Sequence, residues 1–335
     1  MASARRVGTN ENINTYGGTG LGRDYTLLAT WEAATDNDLV TATTSEVLEC
    51  YDDAVFDDSV TIVGATTDAS YFRIIRPAPG QGHDGTPNTG VRFVYTGAAG
   101  FLIRTTEANL SIQDLVLTYT ANIAGGANAL HFLGGSSGSV VGCIAYNCSN
   151  VGAGGSQSII SQSSSSVDVV DCAVISCEVG FNLNTGVAYN CTAIGSVGIG
   201  FTSVATLTLS KNCLASGNGT DFSGTFDAAS TTNASSDTTA PGTSSRISQT
   251  FTFEDAGSDD YHLTTSDTGA LGFGTDLSAD ATFAFDDDID GDTIVVWSIG
   301  FDSDPVATGG PTPGHSYQYQ GKDLGRIGFT RSWAN

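Results

Sequence analysis

The sequence predicts an all-β fold: a right-handed parallel β-helix with a short N-terminal capping helix and extended terminal arms. The main observation is an internal repeat in which an apolar alternation precedes a cysteine, at Cys143, Cys172, Cys191 and Cys213. A second observation is composition, because Gly, Ser, Thr, Asn and Asp punctuate many short runs of Val, Ile, Leu and Tyr without helical spacing. A repeat of roughly 20 residues indicates stacked units that bury their apolar faces on one another.

The cysteines are expected to lie inside the stack. Leu115 takes the cysteine position 28 residues before Cys143, so the repeat extends upstream. Stacked equivalent positions form ladders, and a small apolar thiol suits an interior ladder. The seven cysteines lack zinc spacing, and Cys143 and Cys148 are five residues apart, which predicts opposite faces of one strand. We therefore expect reduced, buried cysteines and neither a disulfide nor a metal site.

The elements at the N-terminal end are an arm, a helix and the first coils. Residues 1–23 are rich in Gly and Asn and predict an extended arm. Residues 24–35 predict the capping helix, with Asp24 as N-cap and Tyr25, Leu28 and Trp31 on one face. Such a helix would cover the apolar end of the first coil. Strand-like runs then begin near residue 46 and continue to about Phe226, within a β-helix domain spanning 24–304.

Three segments follow the coils. Residues 228–249 are polar and of low complexity, and they predict a lateral loop. Residues 251–304 form a closing segment. Residues 305–335 are broken by Pro and Gly and carry aromatic and arginine side chains, so they predict either a docking tail or a strand folded over the last coil.

The closing segment carries a resemblance to a known family. It contains the strand "DYHL" (Asp260–Leu263), a glycine turn at 272–274, the turn "DIDG" at 288–291 and the strand end "WSIG" at 297–300. This layout resembles that of right-handed parallel β-helix repeat proteins found in bacteria and in marine tailed bacteriophages. The resemblance covers most of residues 24–304. It implies the fold and brings no shared catalytic residues.

Charge and hydropathy restrict the partners. The formal charge is −24 and only Lys211 and Lys322 are lysines, which argues against a nucleic-acid partner because phosphate binding needs clustered cations. No stretch is long and apolar enough for a transmembrane helix, and the first residues lack the apolar core of a secretory signal. We expect a protein made in a host cytoplasm, with no membrane partner.

The sequence does not contain a recognisable catalytic set. A polysaccharide hydrolase on a β-helix needs two carboxylates flanking the glycosidic bond. Asp168 and Asp171 are three residues apart and are expected on opposite faces of a strand. A lyase needs a basic residue on the coils, where Lys211 is the sole Lys or Arg between Thr105 and Ser245. The remaining candidates are two carboxylates and two histidines, with His131 expected to be buried or in a ladder and His83 expected to be exposed in a turn: Asp114, Glu178, His83 and His131.

A possible calcium loop starts at Asp286, Asp288 and Asp290, followed by Gly291. Alternating oxygen ligands and a glycine turn are features of calcium loops. The twelfth position is Trp297 in place of the bidentate glutamate, which favours a turn with solvated carboxylates. No metal, cofactor or catalytic residue is predicted.

Two functions remain open. The first is a structural virion protein of a tailed phage: a capsid decoration or cement protein, or a head fibre, that docks on capsid or tail proteins through its arms. By analogy with phage β-helices it would be a homotrimer. The second is a tailspike-type polysaccharide depolymerase, or a passive adhesin, that binds host surface glycan along the β-helix face.

Overall fold

The computed structural model describes residues 5–121, 126–150, 156–161 and 165–302. These residues form long parallel β-sheets and two short helices, an all-β arrangement consistent with a parallel β-helix. The predicted docking tail, 305–335, lies outside the described residues. The elements are α1 (Leu28–Ala34), α2 (Leu39–Ala42), a 3₁₀ turn (Ala256–Ser258), and the strands β1 (Glu11–Tyr16), β2 (Ser45–Cys50), β3 (Val55–Phe56), β4 (Val60–Ile62), β5 (Arg73–Pro77), β6 (Arg92–Tyr95), β7 (Phe101–Thr105), β8 (Leu110–Gln113), β9 (Val116–Ala121), β10 (Ala127–Phe132), β11 (Ser137–Val141), β12 (Ile144–Tyr146), β13 (Ser149–Asn150), β14 (Ser156–Ser161), β15 (Ser166–Val170), β16 (Ala173–Ile175), β17 (Val179–Leu183), β18 (Val187–Tyr189), β19 (Thr192–Ile194), β20 (Ile199–Lys211), β21 (Leu214–Ser216), β22 (Thr220–Phe226), β23 (Ala234–Ser235), β24 (Phe253–Asp255) and β25 (Asp260–Leu263).

The strands assemble into three parallel stacks that the chain visits in turn. Sheet 1 has the order β1-β2-β5-β8-β11-β15-β18-β20, and sheet 2 has the order β3-β6-β9-β12-β16-β19-β21-β23. Sheet 3 has the order β4-β7-β10-β14-β17-β20, with β22 beside β20. The long strand β20 pairs with β17 through its first half and with β18 through its second half, so it joins sheets 1 and 3. The core lies between the three sheets.

The turn from sheet 1 to sheet 2 is made by one left-handed residue in each coil after the one that contains β2 and β3. These residues have φ between 49° and 68°. Gly, Asn and Asp adopt this conformation at the lowest cost, which explains why they recur one residue before the cysteine position. The residues are Gly90, Asp114, Gly142, Asp171, Asn190, Asn212 and Thr232.

The cysteine ladder is confirmed, and one detail of it was wrong. All seven cysteines are buried, and none of them forms a disulfide. Cys143 and Cys148 both belong to the central core cluster, although their spacing predicted opposite faces. Asn147 is the reason: it adopts φ 51° at the turn out of sheet 2, which reverses the in-and-out alternation of side chains just before Cys148.

We expect Cys172→Ser to destabilise the protein by about 1 kcal/mol, the low end of the cost of burying a hydroxyl. The Cys172 Sγ lies 3.2 Å from the carbonyl oxygen of Val170 and 3.4 Å from that of Val140, so a serine hydroxyl would find acceptors. Chemical denaturation of the variant beside Cys172→Ala measures this. A loss above about 3 kcal/mol would show that neither carbonyl accepts the hydroxyl.

The N-terminal end differs from the prediction. Residues 11–16 of the predicted arm form β1, which pairs with β2 in parallel register. The capping helix is present as α1, with Leu28 and Trp31 buried, but its N-cap is Leu27. Asp24 instead accepts hydrogen bonds from the N–H and hydroxyl of Thr15, both at 2.8 Å. Polar composition concealed β1, because Tyr16 is its one fully buried residue and is preceded at alternate positions by Asn14 and Asn12.

The low-complexity segment 228–249 is not a lateral loop. It contains β23, which pairs with β21, and bridges join Thr231 to Lys211 and to Thr243. Asn233 is fully buried and its amide donates to the carbonyl oxygens of Ser210 (3.1 Å) and Pro241 (2.9 Å). Side-chain amides and hydroxyls thus satisfy the main chain of this final coil, so the stack continues beyond Phe226 without apolar periodicity.

Candidate functional site

The closing segment, described here as residues 251–302, packs against the outer faces of sheets 1 and 2. Its Leu277 and Phe285 cover Val170 and Tyr189 of sheet 1. Two further contacts cover sheet 2, one through Ile289 and Phe301 onto Ile144, Ala173 and Ile175, the other through Ile299 onto Leu214 and Ala234. The segment therefore removes from solvent much of the surface on which a substrate could lie.

Arg5 fastens the start of the described chain to the closing segment. Its guanidinium contacts the Asp114 carboxylate (Nη2 to Oδ1, 2.8 Å) and the Asp287 carboxylate (Nη1 to Oδ2, 2.8 Å). It also donates to the carbonyl oxygens of Asp288 and Ile289, at 3.3 Å each. Burial favours the neutral form of Arg5, but the charges of Asp114 and Asp287 outweigh it and raise its pKa well above the ordinary value. One cation thus joins three distant parts of the sequence.

Asp171 is a buried carboxyl at the same corner, directly after β15. Neither of its oxygens has a hydrogen-bond partner among the described residues, and the side chain is inaccessible to solvent. Burial, followed by the negative charge of Asp287, raises its pKa well above the ordinary value. The predicted opposite-face placement of Asp168 and Asp171 was wrong, because Asp171 is the left-handed corner residue of its coil. Asp168 accepts a hydrogen bond from the Val187 N–H at 3.2 Å.

The stability of an Asp171→Asn variant is expected to fall less with rising pH than the stability of wild type. A carboxyl whose folded pKa is raised contributes stability below its unfolded pKa, near 3.9, and that contribution is lost as the pH rises toward the folded pKa. The amide cannot ionise, so thermal unfolding between about pH 5 and pH 9 should slope less steeply than in wild type. Asp52→Asn, at an exposed position, is the control. Parallel slopes for Asp171→Asn and wild type would contradict an ionisable group buried there.

In the turn that carries Asp286, Asp288 and Asp290, the last two carboxylates make internal contacts. The Asp288 Oδ1 accepts from the N–H groups of Asp290 (3.1 Å) and Asp292 (3.0 Å). The Asp290 carboxylate lies 3.2 Å from His262 Nε2. Within the described ranges, no group of three or more His, Cys, Asp or Glu side chains is arranged to hold a metal ion. The turn is a packing element of the closing segment, and Asp288 is nearly buried.

His262 lies between two carboxylates and was not among the candidate residues predicted from the sequence. It lies in the "DYHL" strand β25, with Nδ1 2.6 Å from Asp260 Oδ1 and Nε2 facing Asp290. Burial lowers its pKa, but the hydrogen bond to Asp260 and the adjacent Asp290 carboxylate outweigh this and raise the pKa to about 11. His262 belongs to the "DYHL" motif, two residues after Asp260, and Asp290 belongs to the "DIDG" turn. Each motif is visible in the sequence, but only the folded structure shows that the two side chains are in contact.

His83 was predicted to be exposed and is instead buried. Its Nε2 lies 2.6 Å from the carbonyl oxygen of Gly142, and its Nδ1 accepts from the Gly85 N–H at 3.1 Å. Because Nδ1 accepts, Nε2 carries the proton and donates to Gly142. Burial lowers the pKa of His83, so the neutral form is favoured. The residue fixes the loop between β5 and β6 to a corner of the stack.

The outer face of sheet 3 is not covered by the apolar clusters of the closing segment. Strand register places Thr61, Arg104 and His131 in one row, which continues at the Ile160 position and then through Asn182 and Thr202. Arg104 donates to the Thr61 hydroxyl at 3.1 Å and lies 4.2 Å over the ring of Phe101. His131 is half-buried on this face, and its pKa is lowered by burial and by Arg104.

This row contains no carboxylate, so it does not provide the acid and base of a glycosidase. The coil carboxylates lie elsewhere: Asp114 contacts Arg5, and Glu178 accepts from the Asn150 N–H at 3.3 Å. Lys211, the sole Lys or Arg between Thr105 and Ser245, pairs with Asp280 of the closing segment. The arrangement offers a polar and aromatic surface with an arginine, suited to binding more than to bond cleavage.

No family model, no curated protein and no solved structure matches this chain. Among the residues that the structure describes, no helix is long and apolar enough to cross a membrane.

Proposed function

We propose that the chain is a structural virion protein of a tailed phage, a capsid decoration or cement protein or a head fibre, built as a right-handed parallel β-helix. The proposal rests on the sequence resemblance and on the stacked parallel sheets. It further includes docking on capsid or tail proteins through the terminal segments, association as a homotrimer, and a location in the virion with no nucleic-acid or membrane partner.

A non-catalytic role is supported by the contacts of the charged side chains on the coils, which are made within the protein. Asp114 of the coils binds Arg5, which also binds Asp287 of the closing segment, and Lys211 of the coils pairs with Asp280 of the same segment. A glycosidase would keep its carboxylates at an open groove, where the substrate could reach them. On these coils Asp114 is engaged with Arg5, Asp168 and Glu178 accept main-chain hydrogen bonds, and Asp171 is fully buried, which favours a rigid scaffold.

Two assays test this function together. Purified protein is mixed with purified phage heads and sedimented, and in parallel it is incubated with host capsule or lipopolysaccharide. We expect saturable, stoichiometric recovery with the heads and no shortening of the polysaccharide. Release of oligosaccharide would contradict the structural role and support the depolymerase. Failure to bind both heads and tails would contradict the proposed partners.

A glycan-binding adhesin is the second candidate, favoured by the uncovered row on sheet 3. Arginine and aromatic side chains such as Arg104 and Phe101 are common at binding surfaces, and a flat polar row suits an extended glycan. This function predicts glycan binding without turnover. Arg104→Ala should then weaken glycan binding, while Arg23→Ala, at a surface ion pair with Asp53, should not.

A further inference from the structure

The first strand of sheet 1 has an edge without a partner strand. β1 ends the strand order of the sheet and pairs with β2 on one side, while its other edge carries an isolated bridge from Tyr16 to Tyr25. On the other side, the Thr15 N–H donates to Asp24 Oδ2 and its carbonyl oxygen accepts from the Tyr25 N–H at 2.9 Å. Main-chain groups two residues apart in a strand point the same way, so those of Glu11 and Ile13 also point away from β2. No described residue pairs with these groups.

An open groove of about 760 Å³ runs beside this edge. One wall is formed by residues 10–12 and the other by α2 and its flanks, including Asp38, Leu39 and Thr41. Ile13 is 41% exposed next to it. Exposed edges in natural proteins are usually blocked by proline, a charged side chain such as lysine, or a bulge. β1 has no proline, lysine or bulge, and its one charged side chain, Glu11, is paired with Arg76. The edge is therefore competent to accept another strand.

The negative charge of the groove favours an incoming strand that carries positive side chains. Asp38 and Glu46 line it, and the Glu46 Oε2 accepts the side-chain amides of Asn12 (2.9 Å) and Asn14 (3.0 Å). The nearby cations are already paired, Arg76 with Glu11 and Glu49, and Arg73 with Glu32 and Glu107. An incoming strand with positive side chains would thus meet uncompensated negative charge.

We propose that the free edge of β1 binds an extended basic segment of a partner protein, which adds to sheet 1 as a further strand. Hydrogen bonds to Glu11 and Ile13 would hold its main chain, as in β-strand addition. Arginine or lysine side chains at alternate positions would face Asp38 and Glu46, and the apolar residues between them would contact Ile13. The proposal stands apart from the proposed function, since it requires only an extended basic strand.

A labelled seven-residue peptide with arginine and β-branched residues in alternation is a direct probe. We expect saturable binding to the full chain by fluorescence anisotropy, weakened by salt because the attraction is ionic. Ile13→Pro removes the outward N–H without removing a bond to β2, since proline is tolerated at edges that face solvent. This variant should bind at least tenfold more weakly, whereas the matched Ile13→Thr, which keeps the N–H, should stay within about threefold.

Three outcomes would overturn the proposal. The first is equal affinity of wild type and a folded Ile13→Pro variant, and the second is equal affinity for a peptide with glutamate in place of arginine. The third is slow amide hydrogen exchange at Ile13 before any peptide is added, because a free edge predicts fast exchange. Slow exchange independent of protein concentration would mean that the chain's own residues occupy the edge, and slow exchange that grows with concentration would mean that a second copy does.

Discussion

Arg5→Ala is expected to destabilise the protein by about 3–5 kcal/mol and to loosen the closing segment from the stack. The substitution leaves the fully buried Asp114 carboxylate without its cation, and an uncompensated buried charge is far more costly than a lost surface pair. It also removes the contacts to Asp287 and to the carbonyl oxygens of Asp288 and Ile289. Denaturant unfolding measures the stability, and limited proteolysis within 264–302 measures the loosening.

The control for this variant is Arg23→Ala. Arg23 pairs with Asp53 at 3.0 Å and lies over the Tyr51 ring, where both charged side chains are partly exposed, so its loss should cost about 1–2 kcal/mol, less than that of Arg5. Similar losses for the two variants, or an unchanged proteolysis rate in Arg5→Ala, would mean that Arg5 does not hold the closing segment.

Phe201→Ala is expected to cost about 3–5 kcal/mol, the usual range for removing a buried aromatic ring. Phe201 lies in a stack on sheet 3, with ring centroids 4.6 Å from Phe181 and 4.9 Å from Phe222. The substitution therefore opens a cavity and breaks two stacked contacts at once. Thermal or denaturant unfolding gives the magnitude.

Val204→Ala on the same strand, β20, provides a matched control because Val204 is 59% exposed. We expect a change within about 0.5 kcal/mol. A small loss for Phe201→Ala, close to that of Val204→Ala, would contradict its position inside the coil.

The repeat around the cysteines was sufficient to predict stacked parallel strands, because the spacing of Cys143, Cys172, Cys191 and Cys213 follows directly from the coil length. The prediction of side-chain faces from the in-and-out alternation of a strand was wrong for Cys148 and Asp171. Both depend on a left-handed corner residue that reverses the alternation, at Asn147 and at Asp171 itself. A turn of this kind is one residue long and leaves only a weak preference for Gly, Asn and Asp in the sequence.

The contacts of the closing segment could not be predicted from local patterns. Arg5 and Asp287 are 282 residues apart, and each is an ordinary charged residue in its own neighbourhood. The same applies to His262, which meets Asp290 only after the hairpin β24–β25 and the "DIDG" turn have packed together. Segment 228–249 and β1 were missed for another reason: asparagine, serine and threonine side chains satisfy their main chains, and such residues carry no apolar period.

Hydroxyl-radical footprinting of the intact chain tests most directly whether the closing segment lies on the outer face of sheet 1. Tyr189 is buried there beneath Phe285, whereas Phe181 lies in the core and Phe273 is 44% exposed. We expect Tyr189 and Phe285 to oxidise as slowly as Phe181. Oxidation of Tyr189 at the rate of Phe273 would contradict the covered face, and with it the physical basis for a scaffold without a catalytic groove on these coils.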